Sequence, residues 1–351
     1  MRVAVVGASG NVGTSVLRAL GEDPSIVEIV GIARRRPQLS FPRTTWVCAD
    51  IVTDDLVAAL RGADAVVHLA WLIQPSRDRA TTRSVNVDGS RRVFDAAAAA
   101  GVGTIVYASS VGAYSPGPKD RMVDESWPTG GIPTSFYSRD KSDVEAILDG
   151  FEAAHPDIRV VRLRPGLIFK GEAASGIRRL FAGPLLPTPL LRRRLIPIVP
   201  AMERLRFQAV HSFDVGAAYH LALVRDVRGA FNVAAEPVLD PPELARLLEA
   251  RPVPVAPRVL RTVVDASWKL RLQPTPPGWL DLALGVPLMD TTRAREELGW
   301  TPTRTAGEAL VELIDAMRRG EGLDTAPLEA GNAGPLRVRE FLTGVGARSR
   351  G

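Results

Sequence analysis

The chain is poor in cysteine and in lysine. It has one cysteine, Cys48, and only four lysines among its 44 basic residues. A single cysteine excludes an internal disulfide, and its place in an apolar, strand-like segment predicts a buried and unreactive thiol.

Long apolar runs are also missing. None approaches the roughly 20 residues that span a bilayer. The first residues lead directly into a strand and a glycine turn, which leaves no room for a signal peptide. We therefore expect a cytoplasmic protein that binds no membrane.

Basic runs interleaved with aromatic residues are absent as well. The net charge of +5 comes from arginines scattered along all 351 residues, so we expect no nucleic-acid partner. We also predict no metal site. A hydrophobic fraction of 46% fits a globular chain with a large core, arranged as one domain or as two closely joined domains.

The first half alternates strand-like and helix-like segments, which is typical of parallel strands joined by crossover helices. The predicted strands are residues 2–7, 26–33, 45–50, 64–70, 105–110 and 158–165. Helices are predicted between them, with the clearest at 11–20, 84–100 and 138–154. This order predicts an α/β fold with a doubly wound, Rossmann-like parallel sheet.

The segment GASGNVG, residues 7–13, lies between the first strand and the first helix. Gly7 permits a tight turn, Gly10 lets the backbone approach a pyrophosphate, and Gly13 lets the helix pack on the sheet. The phosphates would lie at the positive end of the helix. The alternative is a glycine-rich turn without a ligand, but the position after a strand and before a helix favours a dinucleotide.

The end of the second strand bears on which dinucleotide is bound. An NAD site places a carboxylate there, whereas an NADP site uses arginine for the 2′-phosphate. The segment GIARRRP has no acid and carries Arg34, Arg35 and Arg36, which favours NADP, with NAD as the other possibility. The alternative is a solvated arginine loop. Asp50, after the third strand, is predicted either to accept a hydrogen bond from the adenine amino group or to act as a helix-capping acid.

Tyr137 and Lys141 lie four residues apart in FYSRDKSD, one turn apart if the segment is helical. A neighbouring ammonium favours the phenolate, so we expect Lys141 to lower the pKa of Tyr137 and make it a usable acid and base. Ser110 ends the fifth strand, where ligands bind in such sheets. Its alternative role is that of a turn residue.

The amino-acid composition changes after residue 165. Residues 166–205 are rich in proline, leucine and arginine, which predicts a short helix and then a loop over a pocket. Residues 206–236 look like a strand, a helix and a further strand that return to the first domain. We therefore assign a dinucleotide-binding domain (1–165 with 206–236), a substrate-binding region (166–205 with the mainly helical 237–320) and a C-terminal extension (321–351).

Several segments, in order, resemble one family over residues 1–320. They are GASGNVG, ADIVTD, VVHLAW, SVNVDGSRRVFDAA, IVYASSVGAY, YSRDK, VVRLRPGLIF, QAVHSFDVG and LGWTPTRTAGEAL. The chain resembles the extended short-chain dehydrogenases/reductases, also called the NAD-dependent epimerase/dehydratase family.

The resemblance implies site residues. The family's catalytic serine lies four residues before the tyrosine of its fifth-strand motif, which is Tyr114 here, so it corresponds to Ser110. The implied catalytic residues are Ser110, Tyr137, Lys141 and Asn86. The implied cofactor contacts are Gly7, Ser9, Gly10, Asn11, Val12, Gly13, Arg34, Arg35, Asp50, Ile51, Leu69, Ala70, Trp71, Ser109, Tyr137, Lys141, Pro165, Gly166, Leu167 and Ile168. His211 and Asp214 match a family marker of mostly structural role.

The resemblance also implies hydride transfer between a nicotinamide and a carbonyl or carbinol carbon. Tyr137 would exchange the proton, Ser110 would orient the oxygen, and Lys141 would hold the ribose. Val111 and Gly112 follow Ser110 where the family's dehydratases carry an acidic pair, so dehydration is disfavoured.

The same resemblance separates a reductase from an epimerase. Leu167 stands where the nucleotide-sugar epimerases usually carry an asparagine. Their arginine is not cleanly in register either, because Phe207 falls at its position and Arg206 is one residue away. We expect an NADP-dependent reductase or dehydrogenase of a small, apolar carbonyl or hydroxyl compound. The alternatives are a nucleotide-sugar epimerase with tightly bound NAD(P) and a non-catalytic dinucleotide sensor. An alanine-rich helix, VFDAAAAAG, is consistent with a homodimer, although burial in the core explains small residues equally well.

Overall fold

A computed structural model describes residues 1–74, 77–181 and 197–330. Its centre is a seven-stranded parallel sheet. The strands are β1 (Arg2–Val6), β2 (Glu28–Ala33), β3 (Thr44–Cys48), β4 (Ala65–His68), β5 (Thr104–Ala108), β7 (Arg159–Pro165) and β11 (Gly229–Val233). Their spatial order is β11-β7-β5-β4-β1-β2-β3, which confirms the predicted doubly wound sheet.

Helices cover both faces of this sheet because its strands are apolar on both sides. In β1, Val3 and Val5 face one core, while Ala4 and Val6 face the other. The first core is closed by α1 (Asn11–Glu22) and α7 (Ser212–Val224). The second is closed by α2 (Leu56–Leu60), α4 (Gly89–Ala99) and α5 (Phe136–Ala154). A short helix α3 (Arg79–Arg83) and a π-helical turn (Ser84–Asp88) lead into α4.

A smaller part of the molecule lies beside the carboxyl ends of the main strands. It contains a three-stranded sheet in which β10 (Phe207–His211) lies between β8 (Leu167–Phe169) and β12 (Ala235–Leu239). Two short pairs join β6 (Met122–Val123) to β14 (Leu288–Met289) and β9 (Ile198–Ala201) to β13 (Arg251–Pro254). The helices are α6 (Ala174–Phe181), α8 (Pro241–Leu248), α9 (Pro257–Lys269), α10 (Gly278–Gly285), α11 (Thr292–Glu296) and α12 (Ala306–Arg319).

The pairing of β10 differs from the expectation that residues 206–236 return wholly to the first domain. β10 pairs with β8 and β12, whereas α7 and β11 do join the large α/β unit. The short helix predicted after residue 165 is α6. The predicted loop over the pocket falls mainly on residues 182–196, and the extension mainly on 331–351, both outside the described residues.

The prediction of a buried Cys48 is wrong, because the thiol is exposed. Cys48 ends β3, the outermost strand of the large sheet. A strand at a sheet edge has one neighbour only, and the burial of its side chains is correspondingly incomplete. An apolar run in the sequence does not distinguish such a strand from a central one.

His211 and Asp214 join the two parts of the molecule, as expected for a structural marker. The Asp214 carboxylate accepts hydrogen bonds from the backbone N–H of Thr303 at 3.0 Å and of Arg304 at 3.2 Å. Trp300 donates its indole N–H to the Asp214 carbonyl at 2.8 Å. His211 Nε2 lies 3.2 Å from a carboxylate oxygen of Glu312 on α12. These contacts attach residues 300–312 to the start of α7.

Within the residues the structure describes, no helix is both long and apolar enough to cross a membrane.

One surface pair has a defined dependence on pH. Hydrogen bonds from His220, at 2.6 Å, and from the backbone of Ser25, at 2.8 Å, lower the pKa of Asp23 from 3.8 to about 2. Because this pKa is lower in the folded state, the stabilisation is complete above about pH 4 and is lost as the pH falls towards 2. We predict that Asp23→Asn lowers the free energy of unfolding by about 1 kcal/mol at pH 7. Thermal denaturation between pH 7 and pH 2.5 should show the deficit shrinking with acidification, and a deficit independent of pH would contradict the assignment.

Candidate active site

The turn between β1 and α1 depends on two glycines. Gly7 has φ of +87°, and a Cβ there would lie 2.7 Å from the backbone nitrogen of Ala70. A Cβ on Gly13 would lie 2.4 Å from the Gly7 carbonyl oxygen and 2.5 Å from that of Ala8. Any side chain at Gly13 would therefore push the helix away from the turn.

The N-terminus of α1 has the properties of a phosphate site. Gly10 caps the helix without a side-chain hydrogen bond, so the first helical N–H groups are available to an anion. The Asn11 side chain reaches the Ile168 carbonyl at 3.5 Å, and its own oxygen is shielded from solvent with no hydrogen-bond partner among the described residues. Ser9 and Val12 lie in the same turn. The glycine cradle and the N–H groups at the start of α1 fit the pyrophosphate of a dinucleotide.

The residues predicted to contact the adenosine lie at the ends of β2, β3 and β4. Arg34, Arg35 and Arg36 follow β2 and are all exposed. Asp50 accepts the backbone N–H of Val52 at 2.9 Å, so at least one of its oxygens serves the local turn. The other residues predicted to contact the cofactor here differ in their exposure. Ile51 is packed in the second core, whereas Leu69, Ala70 and Trp71, which follow β4, are partly exposed.

The catalytic hydroxyls predicted from the sequence lie together. The Tyr137 ring and the Ser110 hydroxyl both lie against Gly112, and the Ser110 hydroxyl acts to lower the pKa of Tyr137. Gly112 makes this approach possible, because a Cβ there would lie 2.8 Å from Cε1 of the Tyr137 ring. The start of α5 is fixed by Ser138, which donates to the Gly112 carbonyl and accepts the Ile132 N–H at 2.6 Å. The turn after β5 and the first turn of α5 therefore form one unit.

The expected effect of Lys141 on Tyr137 is not observed. Burial raises the pKa of Tyr137, and the neighbouring Ser110 hydroxyl opposes this rise only in part. The Lys141 Nζ lies 5.9 Å from the Tyr137 ring centroid, 3.5 Å from that of Trp71, and donates to the Ala108 carbonyl at 2.6 Å. Burial also lowers the pKa of Lys141 well below its usual value, against the opposing charges of Glu145 and Asp140. The lysine is thus held by β5 and Trp71. Desolvation is the largest cause of the pKa shift of both Tyr137 and Lys141.

Asn86 supports the loop after β4. Its side-chain oxygen accepts the Leu72 N–H at 2.7 Å, and its amide donates to the Leu72 carbonyl at 2.8 Å. Asn86 lies in the π-helical turn Ser84–Asp88, a distortion that is frequent at functional sites. In this arrangement both polar atoms of the Asn86 side chain hold the backbone beside Trp71.

The segment predicted to flank the nicotinamide follows β7. Pro165 and Gly166 are buried, and a Cβ on Gly166 would lie 2.5 Å from the Gln208 carbonyl. Leu167 is 43% exposed and Ile168 is partly buried against the first core. This close contact between β8 and β10 brings the segment beside Asn11, through the Ile168 carbonyl.

Sequence reasoning missed the buried carboxylate of Glu145. Ser109 donates its hydroxyl to Glu145 at 2.5 Å, Arg162 donates at 2.9 Å, and Arg164 donates at 2.8 and 3.1 Å. Burial raises the pKa of Glu145, but hydrogen bonding and charge from Arg164, with Arg162, outweigh it and lower the pKa to about 2. Glu145 lies four residues after Lys141 and eight after Tyr137, a helical spacing that could have identified it.

The aromatic surroundings of Tyr137 were also missed. The Trp279 ring lies 4.8 Å from that of Tyr137, and the Trp71 ring 5.8 Å. Trp71 was predicted as a cofactor contact, but no pattern in the sequence links Trp279 to a tyrosine 142 positions earlier. Only the fold brings α10 against the start of α5.

Residues 3–234 match the model of a protein family described as "NAD dependent epimerase/dehydratase family". An uncharacterized protein of Mycobacterium tuberculosis is 32% identical over 327 residues, which are 92% of this chain and 31% of that protein. The chain thus spans about a third of the length of that relative. An NAD-dependent glucose-6-phosphate dehydrogenase of Haloferax volcanii is 30% identical over 179 residues, 47% of this chain and 67% of that protein.

Solved structures share the fold. The UDP-glucose 4-epimerase of Thermotoga maritima, solved with UDP-glucose, superposes with a TM-score of 0.67 at 19% identity. The match covers 91% of this chain and 99% of that one. At this identity the similarity establishes the arrangement of strands and helices.

The glycine turn can be tested with a matched pair of substitutions. Gly13→Ala places a methyl group against two backbone carbonyls, so we predict at least tenfold weaker NADPH binding and a loss of about 1–3 kcal/mol in stability. Gly150→Ala on α5 meets nothing within 4 Å, and should stabilise the helix by up to about 1 kcal/mol without changing affinity. NADPH titration by fluorescence and chemical denaturation measure both effects. Unchanged binding by Gly13→Ala would show that the turn is not the phosphate site.

Proposed function

The chain belongs to the NAD-dependent epimerase/dehydratase family, and we propose that within it the protein is an NADP-dependent reductase or dehydrogenase of a small carbonyl or hydroxyl compound. The observation that carries this proposal is the approach of the Ser110 and Tyr137 side chains to each other beside Gly112, at the carboxyl end of β5. The phosphate cradle of Gly7, Gly10 and Gly13 lies at the same edge of the sheet.

The residues of the chain suggest how protons move. When bound, the nicotinamide supplies or accepts the hydride. Tyr137 donates a proton to the substrate oxygen during reduction, and Ser110 holds that oxygen by a second hydrogen bond. Because burial raises the pKa of Tyr137, the phenol is protonated near neutral pH. The protonated phenol favours reduction of the substrate at neutral pH. Oxidation needs the phenolate as a base, so its rate is expected to increase as the pH rises.

The preference for NADP rests on the end of β2. Arg34, Arg35 and Arg36 are exposed and no carboxylate accompanies them in the segment. Guanidinium groups bind a phosphate dianion through charge-assisted hydrogen bonds. A ribose 2′-hydroxyl, by contrast, is ordinarily held there by an acid. NAD stays an alternative cofactor.

A nucleotide-sugar epimerase with tightly bound NAD(P) is the second candidate. The fold shared with a UDP-glucose 4-epimerase favours it. Against it, Leu167 is half-exposed and offers no hydrogen-bonding group where those enzymes usually carry an asparagine. Phe207 falls where they carry an arginine, although Arg206 is one residue away. An epimerase regenerates its cofactor, so it would show no net change in NADPH absorbance.

A non-catalytic dinucleotide sensor is the third candidate. The paired hydroxyls of Ser110 and Tyr137 argue against it, because a sensor needs no proton donor. It would bind NADPH and leave its absorbance unchanged with every carbonyl compound. A homodimer stays a prediction. Ala96 and Ala97 of the alanine-rich helix are buried in the core of the subunit, which accounts for two of its small residues without a partner.

Removal of the phenolic hydroxyl tests the proton donor. We predict that Tyr137→Phe retains NADPH affinity and loses turnover by roughly 10²- to 10⁴-fold, because the ring stays in place and the acid is gone. Initial rates of NADPH oxidation against a panel of aldehydes and ketones measure the effect. Activity equal to that of the unmodified protein would exclude Tyr137 as the acid.

Removal of the first two of the three arginines tests the cofactor preference. Arg34→Ala combined with Arg35→Ala should weaken NADPH binding by at least about tenfold, since hydrogen bonds to a charged group contribute about 1.5–3 kcal/mol. NADH binding should change less than twofold. Arg258→Ala, which removes an exposed cation on α9, serves as the control for net charge. Equal losses for NADPH and NADH would contradict a 2′-phosphate site at the end of β2.

A further inference from the structure

Aromatic side chains concentrate around Tyr137. The chain is only 6% aromatic and has six tryptophans, yet two of them, Trp71 and Trp279, contact the Tyr137 ring at 5.8 and 4.8 Å. The Trp279 ring is tilted by 35° from that of Tyr137, and the Trp71 ring meets it edge-on at 75°. The proton donor is thus bordered by two indoles.

The position of Trp279 is fixed by its neighbours. Phe181 of α6 packs edge-on against it at 4.9 Å, and Phe136 of α5 does so at 6.3 Å. At the preceding residue, Gly278, a Cβ would lie 2.4 Å from the Thr134 carbonyl, so α10 approaches the start of α5 as closely as a glycine allows. Three elements therefore hold the indole beside the reactive hydroxyl.

Among the described residues, the side of Tyr137 that faces Trp279 is bordered by apolar side chains. Tyr137 and Trp279 form one hydrophobic cluster with Ile132, Leu282 and Val286. A sugar ring would need several hydrogen-bonding side chains there, because unpaired hydroxyls are costly to bury. A flat apolar ring needs none, and gains from contact with aromatic faces and edges.

Trp71 adds one hydrogen-bond donor to this aromatic surface. Its indole N–H is shielded from solvent and has no acceptor within the described ranges of the chain. Buried donors are nearly always satisfied in folded proteins. One oxygen of a bound molecule would complete this site, so the aromatic surface carries a directional contact in addition to its apolar area.

We propose that Trp279, with Trp71, forms a recognition surface for a planar, apolar ring, so that the substrate is an aryl carbonyl compound or the corresponding alcohol. This inference rests on the proposed reductase function and names the substrate class of the same site. Trp279 is the specificity-determining residue, and Tyr137 and Ser110 act on the oxygen beside the ring.

The test compares two ketones of equal carbon number, acetophenone and cyclohexyl methyl ketone. Because conjugation alters the reactivity of the carbonyl, the readout is the change between variants in the ratio of their kcat/KM values. We expect Trp279→Leu to reduce the preference for acetophenone by about three- to tenfold, the range of an aromatic pair. Trp279→Phe should retain most of it.

A control variant shows whether the effect is specific to Trp279 or follows from the loss of any tryptophan. Trp268→Leu removes an indole whose ring is covered by Arg77, and should leave the ratio unchanged. If Trp279→Leu also leaves the ratio unchanged in an active enzyme, the recognition surface is disproved while the reductase function stands.

A binding experiment distinguishes failure of the inference from failure of the proposed function. Benzamide and cyclohexanecarboxamide mimic the two ketones but are not reduced. Isothermal titration in the presence of NADP⁺ should show tighter binding of benzamide, with the difference lost in Trp279→Leu. That result together with no turnover of any ketone would overturn the reductase function and keep the aromatic site. Equal affinities for the two amides would overturn the inference.

Discussion

The buried carboxylate of Glu145 determines where the proposed catalytic groups lie. It joins Ser109 at the end of β5 to Arg162 and Arg164 on β7, with all four hydrogen bonds between 2.5 and 3.1 Å. Since Glu145 belongs to α5, this cluster fixes the helix against the ends of two neighbouring strands. Removing one partner from such a cluster leaves an uncompensated buried charge, which is strongly destabilising. The depressed pKa of Glu145, about 2, keeps the carboxylate ionised at any physiological pH.

The geometry of the site follows from this anchor. With α5 fixed, Tyr137 lies over Gly112 and meets Ser110, while Lys141 is held by the Ala108 carbonyl and the face of Trp71. Arg164 extends the cluster outwards by donating to the Tyr114 hydroxyl at 3.0 Å. The result is a largely buried site in which the raised pKa of Tyr137 keeps the phenol protonated at neutral pH. A site of this kind is better suited to give a proton than to take one.

The sequence predicted the parts of this arrangement that depend on local chain chemistry. Gly7 and Gly13 lie where a β-strand passes into a helix, and their role follows from backbone sterics alone. Tyr137 and Lys141 share a helix face, so their proximity follows from spacing. The alternation of strands and helices was sufficient to predict the doubly wound sheet. Each of these inferences needs only a few consecutive residues.

The features that were missed depend on contacts between distant segments. Trp279 reaches Tyr137 only because Gly278 lets α10 approach α5. The edge position of β3, which exposes Cys48, is a property of strand order. The raised pKa of Tyr137 depends on burial by surrounding elements, and the nearest lysine Nζ lies 5.9 Å from the ring centroid. Residue spacing contains no information on any of these.

The central claim is that Tyr137 and Ser110 share one substrate oxygen beside a bound nicotinamide. A crystal structure of the protein with NADP⁺ and an alcohol product tests it most directly. The account predicts the alcohol oxygen at about 3 Å from both the Tyr137 Oη and the Ser110 Oγ, with the pyrophosphate at the start of α1. An alcohol bound away from these two hydroxyls, or a nicotinamide ring lying elsewhere, would contradict it.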